Sequence, residues 1–182
     1  MSSKYSFHLQ SQDRLRQLPG KIIIGQQDTE TLLHVTLKFF GYLLFFRERL
    51  QIETNLHTDS IPFVPDLVQL DYEMRPRLWV ECGECGVHKL HKLAVKVPEA
   101  EIWVIKRSLA TAEHLMMSMA KEDLRRNRYN LIAFEPEMID EFIGLLKPRN
   151  ELLWVNGDWG PPNVQFDFNG LWFDSPFQVL HF

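Results

Sequence analysis

Two apolar runs separated by a short polar turn constrain the fold of this 182-residue chain most strongly. Segments 61–70 and 77–86 have the composition of β-strands, and the turn 72–76 between them ends in proline. The spacing predicts an antiparallel hairpin over 61–82. In such a hairpin Asp66 faces Glu81, with Cβ atoms about 5 Å apart. A slip of one residue in the pairing would separate these carboxylates onto opposite faces of the sheet.

The facing carboxylates of Asp66 and Glu81 indicate a cation site. Like charges that lie opposite each other in a sheet repel, and the sequence supplies no stabilising reason for this placement. A hard divalent ion such as Mg²⁺ takes oxygen ligands from one or two carboxylates together with water and phosphate. Carboxylates at strand edges are also common as simple solvated groups, so the pair alone leaves a structural role open.

Composition limits the class of protein. Hydrophobic residues make up 45% of the chain, which is enough for one domain with a sizeable core. A net charge of −4 argues against a general nucleic-acid coat protein, although a local basic groove remains compatible with it. The two cysteines cannot form a disulfide framework, which favours a reducing, cytoplasmic setting. The N-terminus lacks a signal-peptide pattern and the longest apolar stretch, 39–46, is too short to span a membrane, so no membrane association is expected.

The order of predicted elements indicates a single α/β domain over residues 1–182, with a mixed central sheet flanked by helices. Thr29 is predicted as the N-cap of a helix that runs to about Arg49. This helix is apolar nearly all round in its C-terminal half, so it is either buried or in contact with a partner, and a homo-oligomer is compatible with it. Asn169-Gly170 between alternating runs predicts a C-terminal β-hairpin. The remaining predicted elements are strands at 21–24, 101–106, 129–134 and 151–155, and helices at 87–96, 109–127 and 136–146.

A second candidate metal site overlaps the end of the hairpin. Its thiolate and imidazole groups are good zinc ligands, and they belong to Cys82, Cys85, His88 and His91. Structural zinc sites usually take two ligand pairs from segments a dozen or more residues apart, so that two stretches of backbone enclose the ion. Four ligands within ten residues therefore disfavour zinc. Catalysis by Cys85 would need an oxyanion site and a third orienting group, and the sequence indicates neither.

Several segments resemble, in the same order, the YaeQ family of proteins. Residues 29–51 resemble its first long helix, residues 65–92 its strand–turn–strand–helix centre, and residues 164–173 its final hairpin. The resemblance covers residues 28–110 and 164–175. It implies a core similar to that of the PD-(D/E)XK nuclease superfamily, also called restriction-endonuclease-like.

The resemblance also implies a set of site residues. In that superfamily a proline–aspartate pair opens one strand, and an acidic-x-lysine triplet ends the next. Pro65-Asp66 matches the pair, Glu81 matches the acid of the triplet, and Glu30 matches an auxiliary acid near the first helix. Asp66, Glu81 and the carbonyl of Cys82 would then hold Mg²⁺ or Mn²⁺. As an acid in the first turn of a helix, Glu30 would also have a purely structural role through the helix dipole.

Gly83 departs from the superfamily pattern, because it occupies the position of the expected catalytic lysine. The ammonium of that lysine would normally stabilise charge that develops on the attacked phosphate. Lys89, Lys92 and Lys96 share one face of the following helix, and Lys89 or Lys92 is the better replacement because the first turns lie nearest the carboxylates. A charged stripe opposite an apolar stripe is also ordinary helix amphipathicity.

The sequence supports two hypotheses of different classes. The first is a metal-dependent nuclease, favoured by Asp66 and Glu81, and the second is a non-catalytic nucleic-acid- or protein-binding module on the same fold, favoured by Gly83 and the acidic net charge. His34 is expected at the helix surface or the edge of the core rather than as a ligand, and Trp159 is expected in a loop. A basic cluster suits either phosphate contact or the helix dipole, and it comprises Lys121, Arg125, Arg126 and Arg128.

Overall fold

The computed structural model describes residues 3–56 and 58–182, which contain eleven strands and four helices. The strands are β1 (Ser3–Ser11), β2 (Lys21–Gln26), β3 (Leu50–Ile52), β4 (Leu67–Leu70), β5 (Pro76–Cys82), β6 (Glu101–Lys106), β7 (Tyr129–Ala133), β8 (Arg149–Trp159), β9 (Pro162–Phe168), β10 (Leu171–Pro176) and β11 (Gln178–His181). The helices are α1 (Leu32–Leu44), α2 (Val87–Lys96), α3 (Leu109–Lys121) and α4 (Pro136–Leu145). Among these residues, no helix is long and apolar enough to cross a membrane.

The strands form two sheets, and α1 is packed between them. The six-stranded sheet has the order β11-β7-β6-β5-β4-β3, with β5, β6 and β7 parallel, and the five-stranded sheet has the order β10-β9-β8-β1-β2. Residues of α1 share one core with Phe7 and Phe168 of the smaller sheet and with Val80 and Ile105 of the larger sheet. Helices α2 and α3 cover the opposite face of the larger sheet. The predicted α/β class, with a mixed sheet flanked by helices, is confirmed, while the second sheet was not predicted.

The predicted hairpin register is confirmed, although the first strand begins at Leu67 rather than at residue 61. Strand β4 pairs antiparallel with β5 through Leu67–Val80, Val68–Trp79 and Gln69–Leu78. Continuing this register by one residue brings Asp66, immediately before β4, opposite Glu81 near the end of β5. A bulge next to Leu70 shifts the pairing only on the turn side of the hairpin. The C-terminal hairpin is also confirmed, with Asn169 and Gly170 at positive φ between β9 and β10.

Helix α1 is shorter than predicted at both ends. Thr31, rather than Thr29, is the N-cap, and its side chain accepts a hydrogen bond from the N–H of His34. Glu30 therefore precedes the helix instead of lying in its first turn. The helix ends at Leu44, and Arg49 has a positive φ of 67° just before β3. The apolar run concealed this end because Phe45 remains buried after the helix has stopped.

The other differences also lie at element ends. Helix α3 stops at Lys121 instead of residue 127, since Asp123 and Asn127 take the left-handed conformation. Trp159 is the last residue of β8 rather than part of a loop, and its ring packs against Trp103. Strands β1, β3 and β11 were not predicted. The bounds predicted for α2 and β6 are those of the structure.

Gly41 allows α1 to approach the larger sheet closely. A Cβ atom there would lie 2.7 Å from Leu67 Cδ1 and 2.8 Å from Ile105 Cδ1. Alanine would gain about 1 kcal/mol of helix propensity, whereas overpacking a filled core costs about 1–3 kcal/mol. We expect Gly41→Ala to lower the free energy of unfolding in urea by about 1 kcal/mol. Gly144→Ala in α4 is the matched control, because a Cβ there meets nothing within 4 Å, and equal effects of the two variants would contradict this packing explanation.

Candidate functional site

A polar cluster forms where the start of α1 meets the start of β4. Glu30, just before α1, pairs with His34 and Lys38 of the helix, and His34 also contacts Asp66. The hairpin register then brings the end of β5, with Glu81, to the same edge. The sequence predicted the positions of Asp66 and Glu81, but it did not predict that His34 belongs to the cluster.

His34 connects two carboxylates. Its Nε2 lies 2.9 Å from Asp66 Oδ1, and its Nδ1 lies 3.1 Å from Glu30 Oε1. A carboxylate only accepts hydrogen bonds, so a ring protonated on both nitrogens satisfies both contacts. Burial alone would lower the pKa of His34, but the hydrogen bond and the charge of Asp66 outweigh it, so that the pKa is raised. The expectation that His34 lies at the edge of the core is confirmed by its half-buried side chain, yet both of its ring nitrogens face acids.

Lys38 neutralises the other side of the cluster. Its side chain is fully buried, and its ammonium pairs with Glu30 at 3.1 Å and with Glu53. Burial opposes the charge, but the hydrogen bonds to Glu53 and Glu30 outweigh it and raise the pKa of Lys38. The only sequence signal for Lys38 was its helical spacing from Glu30 and His34. Glu53 gave no signal, because the loop after β3 brings it to the helix.

Asp66 also contacts the backbone of β5. Its Oδ2 accepts a hydrogen bond of 2.7 Å from the N–H of Cys82. This contact holds the proline–aspartate element against the Glu81-Cys82-Gly83 triplet. The Cys82 thiol is buried in the core, as predicted, and burial raises its pKa well above the ordinary value.

Glu81 is a buried carboxylate with two donors. Trp79 Nε1 donates to its Oε1 and Lys89 Nζ donates to its Oε2, both at 2.7 Å. Burial raises the pKa of Glu81, and the nearby charge of Lys89 opposes that rise. Lys89 is thus the lysine of α2 that reaches the triplet. Lys92 is exposed one turn further on, and among the described residues it contacts neither Asp66 nor Glu81.

Gly83 lies where the backbone turns away from β5. Its φ of 77° belongs to the left-handed region, in which a lysine would be strained. The Gly83 N–H donates to the carbonyl of Ile105, and its own carbonyl accepts a hydrogen bond of 2.7 Å from Lys106 Nζ. Sequence reasoning missed Lys106, and the available signal was a lysine that directly follows the apolar run 102–105.

The side chains bring together a set of potential ligands that differs from the one implied by the resemblance. Within residues 3–56 and 58–182, side-chain ligand atoms of three His, Cys, Asp or Glu residues lie within 4.8 Å of one another only at Glu30, His34 and Asp66. Glu81 is instead engaged by Trp79 and Lys89. The atoms of Cys82, Cys85, His88 and His91 do not converge in this way, since Cys82 is buried while His88 and His91 are exposed on α2.

The raised pKa of His34 gives a testable pH dependence. A group whose pKa is higher in the folded state contributes stability that is complete below its unfolded pKa of about 6.5 and is lost as pH rises through the folded value. In EDTA, we expect the free energy of unfolding of the wild type to fall from pH 6 to pH 8 relative to that of His34→Gln. Urea denaturation across this range measures the difference, and parallel profiles of the two proteins would refute the assignment.

Comparisons with known proteins agree on one family. The family model described as YaeQ protein matches residues 2–155. A search of curated proteins finds no match. The crystal structure of the YaeQ protein from Pseudomonas syringae superposes with a TM-score of 0.73 at 16% identity, covering 100% of this chain and 96% of that one. The YaeQ protein from Xanthomonas axonopodis pv. citri gives a TM-score of 0.72 at 17% identity, covering 99% and 97%.

Identities this low establish a shared fold and nothing about activity. The family model is the stronger finding, because it matches well over half of the residues. The resemblance noted in the sequence thus holds over most of the chain, from β1 to β8. The chain belongs to the YaeQ family.

Proposed function

We propose that this protein is a metal-dependent nuclease that hydrolyses phosphodiester bonds through a degenerate PD-(D/E)XK site. One observation carries the proposal: Asp66, immediately before β4, lies opposite Glu81 of β5, and Lys89 supplies an ammonium 2.7 Å from Glu81. Two acids and a lysine at one sheet edge are the groups that such a reaction needs for holding a cation and for stabilising phosphate charge.

The donor set near Asp66 fits a divalent cation. Glu30 and Asp66 supply carboxylate oxygens and His34 supplies a ring nitrogen, all within 4.8 Å of one another. Imidazole together with carboxylate suits Mn²⁺ better than Mg²⁺, which prefers oxygen ligands alone. An ion bound there would supply an acidified water and a polarised phosphate. The proton on His34 competes with such an ion, so affinity should increase with pH.

The other residues of the proposed site have separate roles. Asp66 is oriented by the Cys82 N–H, so its carboxylate is fixed at the sheet edge. Lys89 lies in the first turn of α2, and its pairing with Glu81 holds the ammonium beside the acids, where it can stabilise negative charge on a phosphate. Glu30 remains an auxiliary acid, and it pairs with Lys38. Lys92 is the second lysine of α2 that we propose as a replacement, because it lies on the exposed face beside Lys89.

A specific observation favours the alternative of a non-catalytic module. The lysine position of the triplet is Gly83, and the two oxygens of Glu81 already accept hydrogen bonds from Trp79 and Lys89. These contacts would also serve a purely structural purpose, because a buried carboxylate is costly unless it is paired. In that case the fold would bind nucleic acid or protein without cleaving it.

A cleavage assay separates these two functions. The purified chain is incubated with single- and double-stranded DNA and RNA in the presence of Mn²⁺, Mg²⁺ or EDTA. The nuclease hypothesis predicts weak cleavage of at least one substrate that requires metal and disappears in EDTA. An absence of cleavage with every substrate and metal would support the non-catalytic module instead.

A further inference from the structure

Lys106 is a buried ammonium without a carboxylate partner. Its exposed fraction is only 6%, and among residues 3–56 and 58–182 it forms no ion pair. Lysines are almost never buried unless they are paired. The Lys106 Nζ donates one hydrogen bond to the neutral carbonyl of Gly83. This contact uses one of the three N–H donors of the ammonium. Lys38, the other buried lysine, is neutralised by two acids.

Lys106 lines a cavity between the first turns of α2 and α3. The cavity has a volume of about 400 Å³, within the range of ligand pockets. Gly86 and Val87 form one wall at the N-terminus of α2, and Thr111 and His114 of α3 form another. No side chain caps α2, so its first amide N–H groups lack the usual acceptor. An ammonium and an uncapped helix N-terminus both attract an anion. The carboxylate of Glu84, which also lines the cavity but is exposed to solvent, opposes them.

The cavity adjoins the carboxylate site. Cys85 lines it, and the pKa of the Cys85 thiol is raised to about 12 by burial first and by the charge of Glu81 second. The charge of Lys106 acts on the same thiol in the opposite direction. The carbonyl of Gly83, which ends the triplet, accepts a hydrogen bond from Lys106. An anion in the cavity would therefore lie next to the Glu81-Cys82-Gly83 segment.

We propose that this cavity is a phosphate-binding subsite, in which Lys106 and the N-terminus of α2 hold a phosphate group of a nucleic-acid strand beside the carboxylate site. The assignment of the phosphate to nucleic acid depends on the proposed function, whereas anion binding itself does not. The subsite would position the strand so that a neighbouring phosphodiester reaches Asp66 and Lys89.

The test is a calorimetric titration in EDTA, so that no divalent metal contributes. Inorganic phosphate, a short single-stranded oligonucleotide and unphosphorylated thymidine are titrated separately into the full chain. We expect phosphate and the oligonucleotide to bind and thymidine not to bind. Because this binding is measured without metal and cleavage requires metal, a failure of the nuclease hypothesis and a failure of the subsite are distinguishable.

Two pairs of variants locate the binding. Lys106→Met should weaken phosphate binding about tenfold or more, because it removes a charge-assisted hydrogen bond. Lys96→Met, at the exposed far end of α2, is its control and should leave the affinity unchanged. Gly86→Asp places a carboxylate at the N-cap and should also abolish binding, whereas Gly86→Ala leaves the amides free. Both substitutions at Gly86 are sterically open, since a Cβ there meets nothing within 4 Å.

Thermal unfolding distinguishes a binding role of Lys106 from a purely structural one. Burying an unpaired charge is costly, so Lys106→Met, which puts an apolar side chain of similar length in its place, should melt at or above the wild-type temperature. A lower melting temperature together with unchanged phosphate affinity would mean that Lys106 only holds the Gly83 carbonyl, and would overturn the proposal. Binding of inorganic phosphate without binding of the oligonucleotide would overturn the assignment to nucleic acid.

Discussion

Asp66→Asn is expected to reduce metal-dependent cleavage of nucleic acid by about 100-fold or more, since loss of even an outer-shell partner of a metal ligand typically costs 10–100-fold. Asp66 connects the two halves of the site, because Oδ1 contacts His34 and Oδ2 accepts the Cys82 N–H. An amide keeps the shape but loses the charge, and its NH₂ group would face the Cys82 donor or the His34 ring. The measurement is the rate of Mn²⁺-dependent cleavage by wild type and variant under identical conditions.

Cleavage rates of further variants measure the importance of the other groups of the site. Glu81→Gln should lose nearly as much activity as Asp66→Asn, whereas Lys89→Ala and Lys92→Ala should each lose less, because a lysine on a helix is less well aimed than one fixed at a strand end. Glu141→Gln is the control, as Glu141 is exposed on α4, away from the site. Cleavage that survives in both carboxylate variants would come from a contaminant or from a different site.

Lys38→Met is expected to lower the free energy of unfolding by about 3–5 kcal/mol, the usual cost of removing one partner of a buried ion pair. The Lys38 side chain is fully buried, and the Glu30 and Glu53 side chains retain only 11% and 24% of their exposure. Without the ammonium, two mostly buried carboxylates face each other with no cation between them. Urea denaturation at pH 7 measures the loss.

A second substitution tests this explanation. Lys38→Met combined with Glu53→Gln should recover a large part of the loss, since it removes one of the two carboxylates that Lys38 neutralised. Lys147→Met, at an exposed position, should change stability by less than about 0.5 kcal/mol. A Lys38→Met protein as stable as the Lys147→Met protein would show that the ion pairs contribute nothing measurable.

The part of the site built by local pairing could be predicted from the sequence. The turn at 72–76 and the alternation on either side of it determine the register of β4 and β5, which brings Asp66 opposite Glu81. Lys89 follows from the same logic, because α2 begins a few residues after the triplet and its first turn cannot lie far from Glu81. These positions depend on short-range geometry, which a single sequence expresses well.

The part built by tertiary packing could not be predicted. Glu53 reaches Lys38 only because the chain turns back after β3, and its N–H donates to the carbonyl of Asp66. Lys106 lies beside Gly83 only because β6 pairs in parallel with β5. The smaller sheet depends on the pairing of β1 with β8, whose partners Ser6 and Arg149 are far apart in sequence. No local pattern encodes such neighbours.

Binding of Mn²⁺ measured by calorimetric titration tests the proposed metal site most directly. Wild-type protein at pH 8 should bind one ion per chain, and the melting temperature should rise with the metal concentration as expected for a ligand of the folded state. Asp66→Asn and Glu30→Gln should both lose the binding heat, whereas Glu84→Gln should retain it. Identical, negligible heats for all four proteins would contradict a cation site at Glu30, His34 and Asp66.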